Sequence, residues 1–212
     1  MHDGVGTPRE MVGDPRRSLL DGFVRAVSPC MTGWTVYGAA VARESESDLW
    51  QIVDFQLDKS VTSWQFTVNL GLHDAALETV FPEWPRLNTR KPSIGACQIR
   101  VRLGELIDGR DRWWPLGSEA AFETLRSELC STLAKVATPD LERFRSRQGI
   151  ADAWMGGSGS RWFAMSNRMV LAGLLKQVGR KAQATDVAAA EVAESADSPR
   201  EPWARTVAAR LK

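Results

Sequence analysis

The sequence predicts an α+β protein: a mainly antiparallel, hairpin-linked sheet with helices packed on its apolar face and a C-terminal helical extension. Three observations predict it. Segments that alternate apolar and polar residues crowd between residues 33 and 107, as strands with one buried face do. Segments with apolar residues three and four apart flank them on both sides, as amphipathic helices do. Short polar turns join the extended segments, which suits antiparallel pairing with one apolar and one solvated face.

Residues 1–13 are rich in Gly and polar types and read as a flexible leader. Asp14-Pro15 then starts a helix, a capping carboxylate followed by proline at the first helical position. Leu19, Leu20, Phe23, Val24 and Val27 form its buried stripe, and Ser28-Pro29 ends it. "GWTVYGAAVARE" (33–44) and "LWQIVDFQLDK" (49–59) read as two extended segments around a polar turn at Ser45 to Asp48. In the second, Leu49, Val53, Phe55 and Leu57 face one way, and Asp54 and Gln56 the other. "SWQFTVNLGL" alternates Trp64, Phe66, Val68, Leu70 and Leu72 with Gln65, Thr67, Asn69 and Gly71, after a hairpin connection at 59–63. A Pro-containing excursion from His73 to Ala96 leads to a strand over 97–107, with Ile99, Val101 and Leu103 opposite Arg100 and Arg102. Asp108-Gly109 predicts a hairpin turn returning through Arg110 to Pro115.

Burying each Trp or Phe of the apolar face stabilises the fold by about 2–3 kcal/mol, so that face must be covered. A helix from Ser118 to Ala137, with Phe122, Leu125, Leu129, Leu133 and Val136 in one stripe, supplies a cover together with the first helix. Thr138-Pro139 stops it and opens a short helix with Leu141 and Phe144. "MGGSGS" (155–160) reads as a linker, dividing an α+β domain (14–154) from a C-terminal helical hairpin plus a short helix (161–212). The tail helices are expected over Trp162 to Val178, Ala184 to Ala196, and around Trp203, Val207 and Leu211. One tetratricopeptide-like spacing of Gly179 and Ala184 has no second copy, so the tail is an appendage and not a repeat array.

Bulk properties exclude several functions. The 212 residues are 43% hydrophobic and 25% charged with a net charge of +1, so no global field favours nucleic acid or an anionic membrane. No apolar run approaches the ~20 residues of a membrane span, and the first residues lack an apolar signal core. The three cysteines, Cys30, Cys97 and Cys130, are odd in number and far apart, which favours buried thiols in a cytoplasmic protein over a disulfide framework.

Local chemistry is sparse. The two histidines are His2 and His73 and there is no Cys-x-x-Cys, so no metal site is expected. "GGSGSR" lacks the Gly-Lys-Ser/Thr ending of a phosphate loop and the final glycine of a nucleophile elbow. Cys97 with His73 as base lacks a third, orienting residue. No catalytic residue and no cofactor are therefore assigned.

What stands out is the polar side of the sheet, where alternation places Arg100 and Arg102 with Asn69, Gln56, Thr67, Gln65 and Asp54. Arginine suits bidentate binding of carboxylate or phosphate. Buried without partners these guanidinium groups would be costly, which nominates Asp54 and Glu105 as counter-charges. The turn adds Arg110, Asp111, Trp113 and Trp114. Adjacent residues of a strand face opposite sides, so one of the two tryptophans can enter the core while the other packs on the polar face, on the protein's own tail or on a partner, tryptophan being enriched at binding hot spots.

The strand with Gln56, "FTVNLG" (66–71), "RVRLG" (100–104) and "RDRWW" (110–114), together with "LLKQVGR" in the tail, resemble the bacterial family catalogued as domain of unknown function 4304, over most of residues 14–200. The resemblance implies a compact, soluble bacterial α+β domain and carries no activity, cofactor or catalytic residue. The expected function is a non-catalytic protein- or peptide-binding module, an immunity-type role against a bacterial toxin being one concrete form. The candidate contacts are Arg100, Arg102, Asn69, Gln56, Arg110, Asp111, Trp113 and Trp114. The alternative is an enzyme or sensor for a small anionic ligand on the polar sheet face, with Asp54 or Glu105 as a pKa-shifted acid or base. A protein partner is expected, and nucleic acid and membrane are not.

Overall fold

The computed structural model describes residues 14–118, 121–164 and 166–211, and the expected leader lies outside them. The fold is α+β. Helix α1 (Pro15–Val27) starts as its sequence dictates, Asp14 Oδ1 accepting from the Arg16 backbone N–H at 3.0 Å. Strands β1 (Thr35–Tyr37), β2 (Ala40–Glu46), β3 (Leu49–Leu57), β4 (Gln65–Asp74) and β5 (Ile99–Arg102) form an antiparallel meander in chain order. The segment 33–44, expected as one strand, is thus two, bent back at Gly38, whose φ of 62° suits glycine. Trp64 lies just before β4 and is 46% exposed, so the apolar alternation begins at Phe66.

The predicted strand over 97–107 is corrected. β5 ends at Arg102, and Leu103–Asp108 is a helix, α2, with Gly109 as its left-handed C-cap. The hairpin at Asp108-Gly109 does not form. A helix C-cap and a tight hairpin both want glycine at positive φ, so the dipeptide alone could not choose between them. Leu103, Leu106 and Ile107 follow helical spacing, Leu103 lying in the core and the other two packing against it. The chain then returns as β6 (Trp114–Pro115), which pairs with the start of β4, not with β5.

Helix α3 (Phe122–Thr132) passes through a π-helical turn at Leu133–Ala137 into α4 (Thr138–Arg143). Pro139 has no N–H for the carbonyl four residues back and its ring crowds that carbonyl; widening the preceding turn accommodates both effects. Helix α5 (Arg147–Met155), not anticipated, is capped by Ser146 Oγ, which accepts from the Gly149 N–H at 3.0 Å. The Gly/Ser stretch is the turn into α6 (Ser160–Phe163), followed by α7 (Arg168–Gln177), α8 (Lys181–Glu194) and α9 (Glu201–Leu211).

One core runs beneath all of this. Phe23 of α1 meets Phe66 at 5.3 Å and Phe122 at 5.2 Å between ring centres, and Phe66 stacks on Trp114 at 6.1 Å. Residues beyond the Gly/Ser turn, Trp162, Val170, Leu174 and Val207 among them, belong to the same buried cluster. Two polar groups inside it are well satisfied. Gln51 Nε2 donates to the Leu141 and Phe144 carbonyls at 2.7 and 3.0 Å. Arg147 grips the buried Asp74 with two bonds of 2.9 and 2.7 Å, the bidentate geometry that makes such a pair tolerable.

The cysteine expectation is also corrected. Cys30, just after α1, and Cys130 of α3 form a disulfide, leaving only Cys97 as a free, buried thiol. An odd count permits one bond plus one thiol, and a pair separated by 100 positions leaves no local mark in the sequence. Among the described residues no helix is long and apolar enough to cross a membrane.

Candidate functional site

The side of the sheet away from the helices is divided in two. At one end the excursion between β4 and β5 covers it. That segment starts on the helix side, with Leu77, Val80 and Phe81 in the main core, and ends on the opposite side, where Leu87, Ile94 and Cys97 pack over Ala42, Ile52 and Trp50. Gly71 permits the cover. A Cβ there would lie 2.5 Å from Ile94 Cδ1 and 2.6 Å from Cys97 Sγ. His73 anchors the same segment, being fully buried with Nδ1 donating to the Ala96 carbonyl at 2.8 Å.

The other end is open. Gln56, Asn69, Ile94, Arg100, Val101, Arg102 and Glu105 line a concavity of about 260 Å³. Register explains the assembly: Asn69 pairs with Asp54 on one neighbour and with Arg102 on the other. Four expected residues, Arg100, Arg102, Asn69 and Gln56, therefore meet in one place. Asn69 Nδ2 donates to Gln56 Oε1 at 3.0 Å and to Asp54 Oδ2 at 3.3 Å, so the amide face of the floor is pre-oriented.

The two arginines are not equivalent. Arg102 is ion-paired to Asp111 and lies 5.7 Å over the ring of Trp113, whose Nε1 donates to the same carboxylate at 3.1 Å. Its counter-charge is Asp111, correcting the expectation of Asp54 or Glu105. Glu105 instead accepts from the Arg102 backbone N–H at 3.4 Å, at the start of α2. Arg100 is exposed, and its side chain enters no ion pair or hydrogen bond among the described residues. A second motif glycine shapes this corner. A Cβ on Gly104 would sit 2.5 Å from the Arg110 carbonyl oxygen, so the loop carrying Asp111 can close only over glycine.

The remaining expected residues fall elsewhere. Trp114 is 2% exposed and part of the core, its Nε1 donating to Glu128 at 3.3 Å; it is not a docking surface. Arg110 is exposed on the loop after α2 and does not line the concavity. What sequence reasoning missed is the role of the excursion, which supplies Ile94 and a neighbouring wall of Trp84, Pro85 and Gly95 to Gln98. Its length and the cluster "FPEWP" were the available signal, because long irregular loops in compact domains are usually functional.

Burial raises the Asp54 carboxyl above the ordinary aspartate range, against the opposing hydrogen bond from Asn69 and the charge of Arg17. A group whose folded pKa is raised stabilises the fold only while protonated, and that contribution is lost as pH rises through the folded pKa. Asp54→Asn is therefore expected to raise the melting temperature at pH 7, with the gain vanishing as pH falls below ~4. A variant equally stable or less stable than the parent at pH 7 would contradict this. Cys97 is held as a thiol: burial pushes its pKa strongly upward despite the nearby Arg100.

The described fold is thus a helix-backed antiparallel meander with a polar, arginine-bearing recess on its uncovered side. The chain belongs to the family Domain of unknown function (DUF4304), whose model matches residues 37–143, about half of the chain. The match spans the whole sheet apart from the first two residues of β1, and α2 to α4, including every residue of the recess; α1 and α5–α9 lie outside it, so the resemblance is narrower than 14–200. No curated protein and no solved structure matches the chain.

Proposed function

We propose that the protein is a non-catalytic binding protein that receives an anionic group at Arg100, on the open half of the sheet's polar side. The observation that carries this is the guanidinium of Arg100, without a partner among the described residues, beside pre-oriented amides, while its neighbour Arg102 already has a carboxylate. Arginine left without a partner at a concave surface is suited to carboxylate or phosphate. The absence of catalysis is supported by the side chains themselves. The Cys97 thiol is kept protonated, and Asp54 is mostly buried and engaged by Asn69. The expectation of a protein partner rested on the Trp113–Trp114 hairpin or the arginine face. With one ring in the core and the other tied to Asp111, the weight of support moves to the arginine side.

Titration calorimetry with inorganic phosphate and with acetate tests the reading. Arg100→Ala is expected to weaken binding about 10- to 100-fold, the worth of a charge-assisted hydrogen bond, with little change in melting temperature because the residue is exposed. Binding that is equally tight in the variant, or no anion binding by the parent, would overturn it.

Cytoplasmic residence is the location that accompanies this proposal. In that compartment a pair such as Cys30–Cys130, the first exposed and the second half-buried, is ordinarily reduced, and trapping thiols with an alkylating agent at lysis reads its state directly.

A further inference from the structure

The chemistry of the ligand can be narrowed, on the premise that Arg100 holds an anion. A second concavity, of about 220 Å³, lies on the other side of Arg100 and is lined by Trp84, Pro85, Gly95, Ala96, Cys97, Gln98 and Arg100, with Asn167 at the start of α7. The two recesses share Arg100, and consecutive residues serve them, Ile94 lining the first and Gly95 the second. Each alone is smaller than the roughly 300 Å³ at which small-molecule sites begin, and a ligand that reached across Arg100 into both would have room inside that range.

Their linings differ in kind. The first offers the amides of Asn69 and Gln56 and the charge of Glu105. The second offers an indole, a proline ring and the small apolar Ala96 and Cys97. Cys97 is a thiol held neutral by burial, so it presents the recess with a soft apolar surface.

Trp84 is held as a fixed wall. Its ring stacks on Phe81 with centres 4.3 Å apart and planes 11° from parallel. Phe81 is itself buried and stacked on Trp203 of α9 at 6.3 Å. The same stretch is pinned twice more: Trp203 Nε1 donates to Glu83 at 2.7 Å, and Arg210 Nη1 donates to the Val80 carbonyl at 3.0 Å. On its inner side, α7 approaches so closely that a Cβ on Gly173 would lie 2.5 Å from Leu77 Cδ2. An indole so braced, half-exposed at a recess, is suited to stack a flat apolar group, and aromatic pairs gain beyond the area they bury.

We infer that the ligand is an aromatic anion, its ring seated against Trp84 and Pro85 and its carboxylate or phosphate held by Arg100.

Calorimetry on the full chain with two probes, inorganic phosphate and phenyl phosphate, tests it. In the parent, phenyl phosphate is expected to bind about tenfold more tightly. Trp84→Ala should erase that advantage while leaving the affinity for inorganic phosphate unchanged, and Trp84→Phe should restore most of it. The inorganic phosphate titration doubles as the check that Trp84→Ala is folded, and Trp84→Phe keeps the inference testable if that variant is not. Equal affinity for the two probes in the parent overturns the aromatic inference and leaves anion binding at Arg100 standing. So does an aryl advantage that survives Trp84→Ala. Failure of both probes to bind overturns the two proposals together.

Discussion

Trp114→Ala is expected to lower the free energy of unfolding by about 3–5 kcal/mol, the usual loss when a fully buried Trp is truncated and the cavity only partly collapses. For a chain of this size that corresponds to a fall of roughly 10 °C in melting temperature. The ring is 2% exposed, stacks on Phe66, carries the Arg112 guanidinium 5.2 Å over its face and donates to Glu128. It also sits on β6, which closes the sheet beside the start of β4. The control is the residue before it. Trp113 is half-buried and held mainly by Asp111 and Arg102, so Trp113→Ala should cost about 1 kcal/mol. Chemical denaturation of the two variants measures the contrast. Similar losses would mean that the alternation of the two rings does not govern stability here.

The second large effect belongs to the disulfide. Cys30→Ser with Cys130→Ser is expected to destabilise the protein by about 4 kcal/mol, because the bond closes a loop of 100 positions in the unfolded chain. The parent under dithiothreitol should shift by the same amount, while the double variant should not respond. Thiol titration of the denatured, unreduced parent should find one group, Cys97, and three after reduction. Denaturation midpoints that are insensitive to reductant would show that the cross-link contributes nothing to stability. The bond joins the turn after α1 to α3, the two helices whose Phe23 and Phe122 meet over the sheet, so its loss acts on the cover of the core and not on the recess.

Much of the fold was legible because its causes are local. The Asp14-Pro15 start, the stripe of α1, the alternation of Phe66, Val68, Leu70 and Leu72, and the connection at 59–63 all follow from neighbouring residues. The boundary between β5 and α2 was legible too, since spacing changes from two to three and four at Leu103, but the familiar Asp-Gly pair outweighed it. Helix α5 was missed because only Ile150, Ala151 and Ala153 mark it, too short a stripe to stand out beside the glycines that follow. Gln51, alternating among apolar residues, gave no hint that its amide would meet the carbonyls at the end of α4.

The site divides along the same line. By itself the sequence determined that Gln56, Asn69, Arg100 and Arg102 share a side, because strand periodicity requires it once those strands are neighbours. Only the tertiary structure decided that Asp111 reaches Arg102 and leaves Arg100 without a partner among the described residues, that Trp114 rather than Trp113 turns inward, and that the 75–98 segment covers one end of the polar side and walls the recess with Trp84. The reason is physical. Periodicity records which way a side chain points relative to its own backbone, whereas a salt bridge, a disulfide or a covering loop joins residues whose separation along the chain leaves no repeating trace.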